Sequence, residues 1–163
     1  RGDGALIRHR IDQIRRLCPD GVIRTSLIVG FPGERDEDFD ALHDFLCQYR
    51  LERVGIFCYS QEEGTPAAEL CGQVPEGVKL ARQESLYRVQ QSIMEAHGRS
   101  MVGKTLTVLC CGRDAEGRAY GRSAMDSPDV DGAVFFEGGI EGRFHQVRIT
   151  EADGCDLYGV LTE

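Results

Sequence analysis

Apolar residues recur at helical spacing at Leu6, Ile7, Ile11, Ile14 and Leu17, with Arg8, Arg10, Arg15 and Arg16 on the remaining faces. This predicts an amphipathic helix ended by Pro19. The pattern then switches to a short β-branched run, Leu27-Ile28-Val29, as expected of a strand covered on both faces. Helical spacing returns at Phe39, Leu42, Phe45 and Leu46 behind Asp36, the expected cap. Val54 to Tyr59, VGIFCY, reads as a second buried strand. A third helix is predicted from near Pro75 towards Arg99, with Val78, Ala81, Leu86, Val89, Ile93 and Ala96 as its apolar stripe and Gly98 near its end.

The order helix, strand, helix, strand implies parallel pairing through right-handed crossovers. Two strands alone make a poor sheet, so the α/β portion is expected to continue upstream of Arg1. From Met101 the texture changes to TLTVLCC, AYGRS, AVFFE, FHQVRITEA and LYGVL, separated by glycine and aspartate turns. Short alternating strands of this kind predict a small β-barrel. The fold class is therefore α/β followed by all-β, with domains expected at 1–99 and 100–163.

Composition narrows the partners. The chain of 163 residues carries a net charge of −8, and its barrel segment is itself acidic, with six Lys and Arg against eleven Asp and Glu. Affinity for a nucleic-acid backbone comes from cations displacing counterions, so tight nonspecific binding to RNA is disfavoured and a basic partner suits better. No apolar run is long enough to span a bilayer, and the first residues lack the pattern of a signal peptide, so no membrane anchor is expected. Seven cysteines, an odd number with no CxxC or CxxxCxxC spacing, read as reduced cytosolic thiols and give no metal site.

The candidate site lies at RTSLIVGFPGE, Arg24 to Glu34, where a strand runs into a loop punctuated by Gly30, Pro32 and Gly33 and closed by an acid. Ligands of parallel α/β folds sit at the carboxyl ends of strands. Such a loop is either a binding edge or a well-made strand-to-helix turn. Ser60 to Gly72, following the second strand, falls on the same edge and is long enough to be functional. No catalytic residue and no metal ligand is assigned.

IVGFPGE followed by DEDF, then VGIFCYSQEEGTPAA and VPEGVKLARQESL, closely resembles the second half of the radical-SAM methylthiotransferases, which end in a β-barrel called the TRAM domain. The resemblance implies a partial parallel (β/α) radical-SAM barrel over 1–99 and a TRAM barrel over 100–163. Arg24-Thr25, Glu62-Glu63 before Gly64-Thr65, DSPDVDG at 126–132 and Asp156-Leu157-Tyr158-Gly159 resemble the branch that methylthiolates an aspartate of a small-subunit ribosomal protein. The alternatives are the branch that modifies tRNA adenosine, and a non-catalytic acidic binding module.

What the resemblance implies for the site is specific. Ile28, Gly30, Gly33 and Glu34 match the segment lining the adenine side of S-adenosylmethionine, with Glu34 expected to hold the loop by accepting backbone hydrogen bonds. Phe57 and Tyr59, at the end of the second strand, are further candidates for contact with that cofactor. Glu62, Glu63, Asp126, Asp129 and Asp131 are candidates for contact with the basic ribosomal protein; tRNA is disfavoured. The [4Fe-4S] clusters of the family would be bound by residues upstream of Arg1, so these 163 residues alone are expected to be inactive. A cytoplasmic location follows from the same reading.

Overall fold

The computed structural model describes residues 3–162. They fall into two compact units, the first reaching Ile93 and the second starting at Met94.

The first unit runs α1 (Gly4–Leu17), β1 (Arg24–Val29), α2 (Asp36–Tyr49), β2 (Arg53–Cys58), one 3-10 turn (Pro66–Glu69) and most of α3 (Glu76–Met101). Asp3 caps α1 by accepting from Ala5 N–H at 2.9 Å. At α2 the expected cap is displaced by one residue. Arg35 holds the N-cap position and Asp38 accepts from its backbone N–H at 3.0 Å, while Asp36 is already helical and turns its carboxylate towards Arg82.

β1 and β2 pair in parallel, with Leu27 opposite Ile56 and Ile28 opposite Phe57. One face of this ladder is core: Val29, Val54 and Ile56 pack with Ile11, Leu46, Leu51, Leu86 and Ile93. The opposite face is open, with Ile28 56% and Phe57 53% exposed. The strands were expected to be covered on both faces. Among the described residues all the covering helices lie on one side, so alternate residues of each strand meet solvent.

α3 seals the outer edge of β2 with side chains. Arg53 and Tyr59 donate their N–H groups towards β1, to Ile23 O and Val29 O. Ile56 lies in the alternate phase and turns its carbonyl outward, where Gln83 Nε2 and the Tyr87 hydroxyl donate to it at 2.8 and 3.0 Å. Buried Gln90 donates to the carbonyls of Leu51 and Glu52, both at 3.1 Å. A helix laid along an edge strand in this way blocks further pairing there. β1 keeps its other edge, which faces an apolar groove of about 500 Å³ between α1 and α2.

The buried stripe of α3 differs from the expected one. Val78 is exposed and so is Ala81, whereas Lys79, Arg82, Leu86, Gln90 and Ile93 are buried. Gly98 is near the helix end, as expected. It lies inside the helix, where a Cβ would come within 3.3 Å of Ala152 Cβ, and the helix stops at Met101 before Gly103 (φ +89°).

In the second unit β3 (Thr105–Arg113), β4 (Ala119–Arg122), β5 (Val134–Phe136), β6 (Phe144–Asp153) and β7 (Asp156–Leu161) close a barrel in the order β3-β4-β5-β7-β6. All pairs are antiparallel except β5 with β7. Val108, Cys110, Ala119, Val134, Phe136, Val147, Ile149 and Leu157 fill it with Met101. Alternation sends Cys110 inward and leaves its neighbour Cys111 half-buried on the outside.

Candidate functional site

The carboxyl ends of β1 and β2 are built into one edge by hydrogen bonds between loops and α3. Gly30 and Gly33 both take positive φ, +75° and +84°, a region costly for other residues. Their surroundings differ. A Cβ on Gly30 would lie 2.3 Å from Lys79 Cγ, so this glycine makes room for the lysine stem; around the corresponding position at Gly33 no atom lies within 4 Å. Gly33 N–H donates to Gly72 O at 2.9 Å, joining the loop after β1 to the loop after β2.

Glu34 lies at the centre of this network. Its Oε1 accepts from Gly30 N–H at 2.9 Å and from Arg82 Nη1 at 2.7 Å, while Arg82 Nη2 donates to Asp36 at 2.6 Å. Burial opposes the Arg82 charge, but the bond to Asp36 and the charge of Glu34 outweigh it and hold the guanidinium above its ordinary pKa. Lys79 donates to Tyr59 O at 2.9 Å, pairs with Glu76 at 3.2 Å and places its ammonium over the Tyr59 ring. At Cys58, burial and the Glu76 carboxylate raise the thiol pKa against the opposing Lys79.

Apolar side chains remain open on or beside this edge, among them Ile28, Phe57 and Phe31, the last 45% exposed. Phe31 meets Tyr59 edge-on with ring centroids 5.3 Å apart. The Tyr59 hydroxyl is buried and, among the described residues, has no hydrogen-bond partner, which is costly unless a partner arrives. An apolar wall, an open position at Gly33 and an orphaned hydroxyl fit a planar heteroaromatic ligand with polar edges.

The acidic candidates separate. Glu63 is exposed, and Glu62 beside it accepts from Ser60 Oγ at 2.8 Å and from Thr65 Oγ1 through its carbonyl at 2.8 Å. On the barrel, Asp126 accepts from Ser123 N–H and Oγ, and Asp131 from Ser127 N–H, so both carboxylates hold turns. Asp129, at φ +59°, is exposed and has no such bond among the described residues.

Lys79 and Arg82 were not among the expected site residues. The signal was present: positions 79, 82, 86, 90 and 93 are spaced as one helix face. It was hidden because three of the five are polar, and apolar periodicity reads only apolar stripes.

A parallel βαβ segment with an open apolar edge at its strand ends, followed by a long helix and a closed five-stranded barrel, fits the resemblance to the carboxy-terminal part of a radical-SAM methylthiotransferase. Residues 102–161 match the family model described as TRAM domain. Over 153 residues the chain is 44% identical to the "Ribosomal protein uS12 methylthiotransferase RimO" of Lachnoclostridium phytofermentans, covering 91% of this chain and 35% of that protein. The RimO of Thermosipho africanus is 44% identical over 94% of this chain and 36% of its own length. That of Klebsiella pneumoniae is 46% identical over 92% and 34%. The chain spans about a third of the length of these relatives. It is similar, over nearly all its residues, to the carboxy-terminal part of RimO. Among the described residues no helix is long and apolar enough to cross a membrane.

Proposed function

We propose that the chain is the carboxy-terminal part of a radical-SAM methylthiotransferase that modifies an aspartate of ribosomal protein uS12, with a radical-SAM segment over 1–99 and a TRAM domain over 100–163. The observation that carries this reading is the open apolar edge formed by Ile28 and Phe57 at the carboxyl ends of two parallel strands, in a sequence similar to RimO. When bound, S-adenosylmethionine and a [4Fe-4S] cluster supply radical chemistry that activates an unreactive C–H bond. On the family resemblance, the cluster ligands are assigned to sequence outside these 163 residues.

What this chain contributes is binding and orientation. Ile28 and Phe57 offer apolar surface to adenine. The Gly33 backbone leaves room for close approach, and the Tyr59 hydroxyl is the polar group awaiting a partner. Glu34 is a structural acid in this reading, since both neighbours that donate to it belong to the protein.

Glu62, Glu63 and Asp129 provide negative charge towards a basic ribosomal protein, whereas a phosphate backbone would be repelled. Asp126 and Asp131 shape the loop that presents Asp129. The reaction so read takes place in the cytoplasm, where uS12 and its subunit are assembled.

The test uses the full-length protein, anaerobically reconstituted with iron and sulfide, supplied with S-adenosylmethionine, excess sulfide and a one-electron reductant such as dithionite, and offered uS12 and tRNA in parallel. Mass spectrometry is expected to find one methylthio group on a uS12 aspartate and none on tRNA. Methylthiolated adenosine with unmodified uS12 would overturn the substrate assignment.

A further inference from the structure

We propose that Arg82 is a positioning residue for the S-adenosylmethionine edge, shaping the Gly30–Glu34 loop through Glu34 without touching the cofactor. The inference rests on the reading of that edge given above. It starts from burial. The Arg82 and Glu34 side chains are 8% and 12% exposed, whereas Asp36, the second carboxylate on the guanidinium, is 93% exposed. Ion pairs exposed to water contribute little, while breaking a buried pair strands a charge. The Glu34 arm therefore carries the constraint and the Asp36 arm is secondary.

The geometry shows what is constrained. Glu34 Oε1 is shared between Arg82 Nη1 and Gly30 N–H, so the guanidinium fixes the acceptor that fixes the first residue after β1. Arg82 Nη1 also lies 3.4 Å from the Glu34 carbonyl oxygen, holding the far end of the loop. Three positions along the helix, the Lys79 stem fills the space beside Gly30 and its ammonium binds Tyr59 O at the end of β2. The first turns of α3 thus hold both strand ends, and Phe31 to Gly33 span the stretch between them, with Gly33 N–H tied to Gly72 O. A binding loop held in its bound shape loses less freedom on binding, and the gain appears in affinity.

Without Arg82 the carboxylate would be half-buried beside a lone N–H, and the loop would relax towards solvent. Removing the guanidinium is expected to weaken the cofactor complex about tenfold. A residue acting only on global folding would not select one ligand.

The experiment measures S-adenosylmethionine affinity by titration calorimetry in the full-length, cluster-loaded protein, alongside uS12 affinity and amide hydrogen exchange at Gly30 and Gly33. Arg82→Gln and Glu34→Gln are each expected to raise the cofactor Kd about tenfold, with faster exchange at Gly30 and unchanged uS12 affinity. The double variant is expected to be no worse than the weaker single, because both remove one constraint. Asp36→Asn should change Kd less than about twofold. If Arg82→Gln does not fold, Glu34→Gln decides alone, since it keeps the size of the side chain and removes the charge that pairs with Arg82. Faster exchange with an unchanged cofactor Kd would overturn the proposal, as would additive losses in the double variant. Phe57→Ala distinguishes this from failure of the underlying reading: weakened cofactor binding there, with Arg82→Gln unaffected, sinks only the role of Arg82. Normal binding by Phe57→Ala as well removes the assignment of the edge.

Discussion

Ile28 stands directly opposite Phe57 in the β1–β2 ladder, and both side chains are more than half exposed. Two large apolar groups paired on the solvent side of a sheet, at the carboxyl ends of its strands, have no role in the core beneath them. Substitutions there should separate binding from stability. In the full-length protein Ile28→Asp is expected to shift the thermal midpoint little, since exposed positions usually change stability by no more than about 0.5 kcal/mol. The same variant should weaken S-adenosylmethionine binding about tenfold or more. Parallel calorimetry and thermal scans check both; a large stability loss with intact binding would place Ile28 in a covered interface.

The two loop glycines make a matched pair for a second prediction. Gly33→Ala meets no atom and carries only the cost of positive φ, roughly 1 kcal/mol. Gly30→Ala adds a clash with Lys79 Cγ, where a Cβ would sit at 2.3 Å. Its cost should exceed that of Gly33→Ala by roughly 1–3 kcal/mol, the range for overpacking. Combining it with Lys79→Ala should recover part of the excess, even though Lys79 also binds Tyr59 O. Denaturant unfolding of the four variants measures this, and equal costs at the two glycines would remove the steric argument.

A third prediction concerns the sealed edge of β2. Tyr87→Phe leaves Gln83 donating to Ile56 O and is expected to cost about 0.5–1.5 kcal/mol, a single hydrogen bond. Gln83→Leu with Tyr87→Phe leaves that carbonyl without a donor and should cost more than the two singles together. It also exposes a strand edge, so self-association rising with concentration is expected by light scattering. A double variant that is additive and monomeric would mean that water replaces both donors.

These sites mark where the sequence was legible. The barrel strands were readable because period-two alternation is enforced by burial: Val108 and Cys110 point inward, and so do Val134 and Phe136. β1, β2 and the helices were readable for the same reason on their covered faces. The start of α3 was not, because its buried residues Lys79 and Arg82 answer to a carbonyl and two carboxylates brought together by the fold. Neither was the exposure of Ile28 and Phe57, since an apolar strand looks alike whether its second face meets core or ligand. The displaced cap at Arg35 has a similar cause, with Asp36 drawn to Arg82 and Asp38 left to take the backbone N–H.

The last prediction is a pH dependence located in the barrel. Asp114 accepts from Arg118 N–H and Nε, both at 2.8 Å, and from Glu116 N–H at 3.1 Å. Partial burial opposes ionisation, but the bonds from Arg118 outweigh it and hold the carboxyl below the ordinary aspartate range. A carboxyl whose pKa is lower folded than unfolded stabilises the fold above the unfolded value of about 4. That contribution disappears as pH falls through the lower, folded value. The turn between β3 and β4 should therefore loosen on acidification below about pH 4, and Asp114→Asn should flatten this part of the profile while lowering stability near neutrality. Thermal midpoints of both forms from pH 7 to pH 3 measure it. Parallel curves that keep a constant separation would show that Asp114 acts through its shape and not its charge.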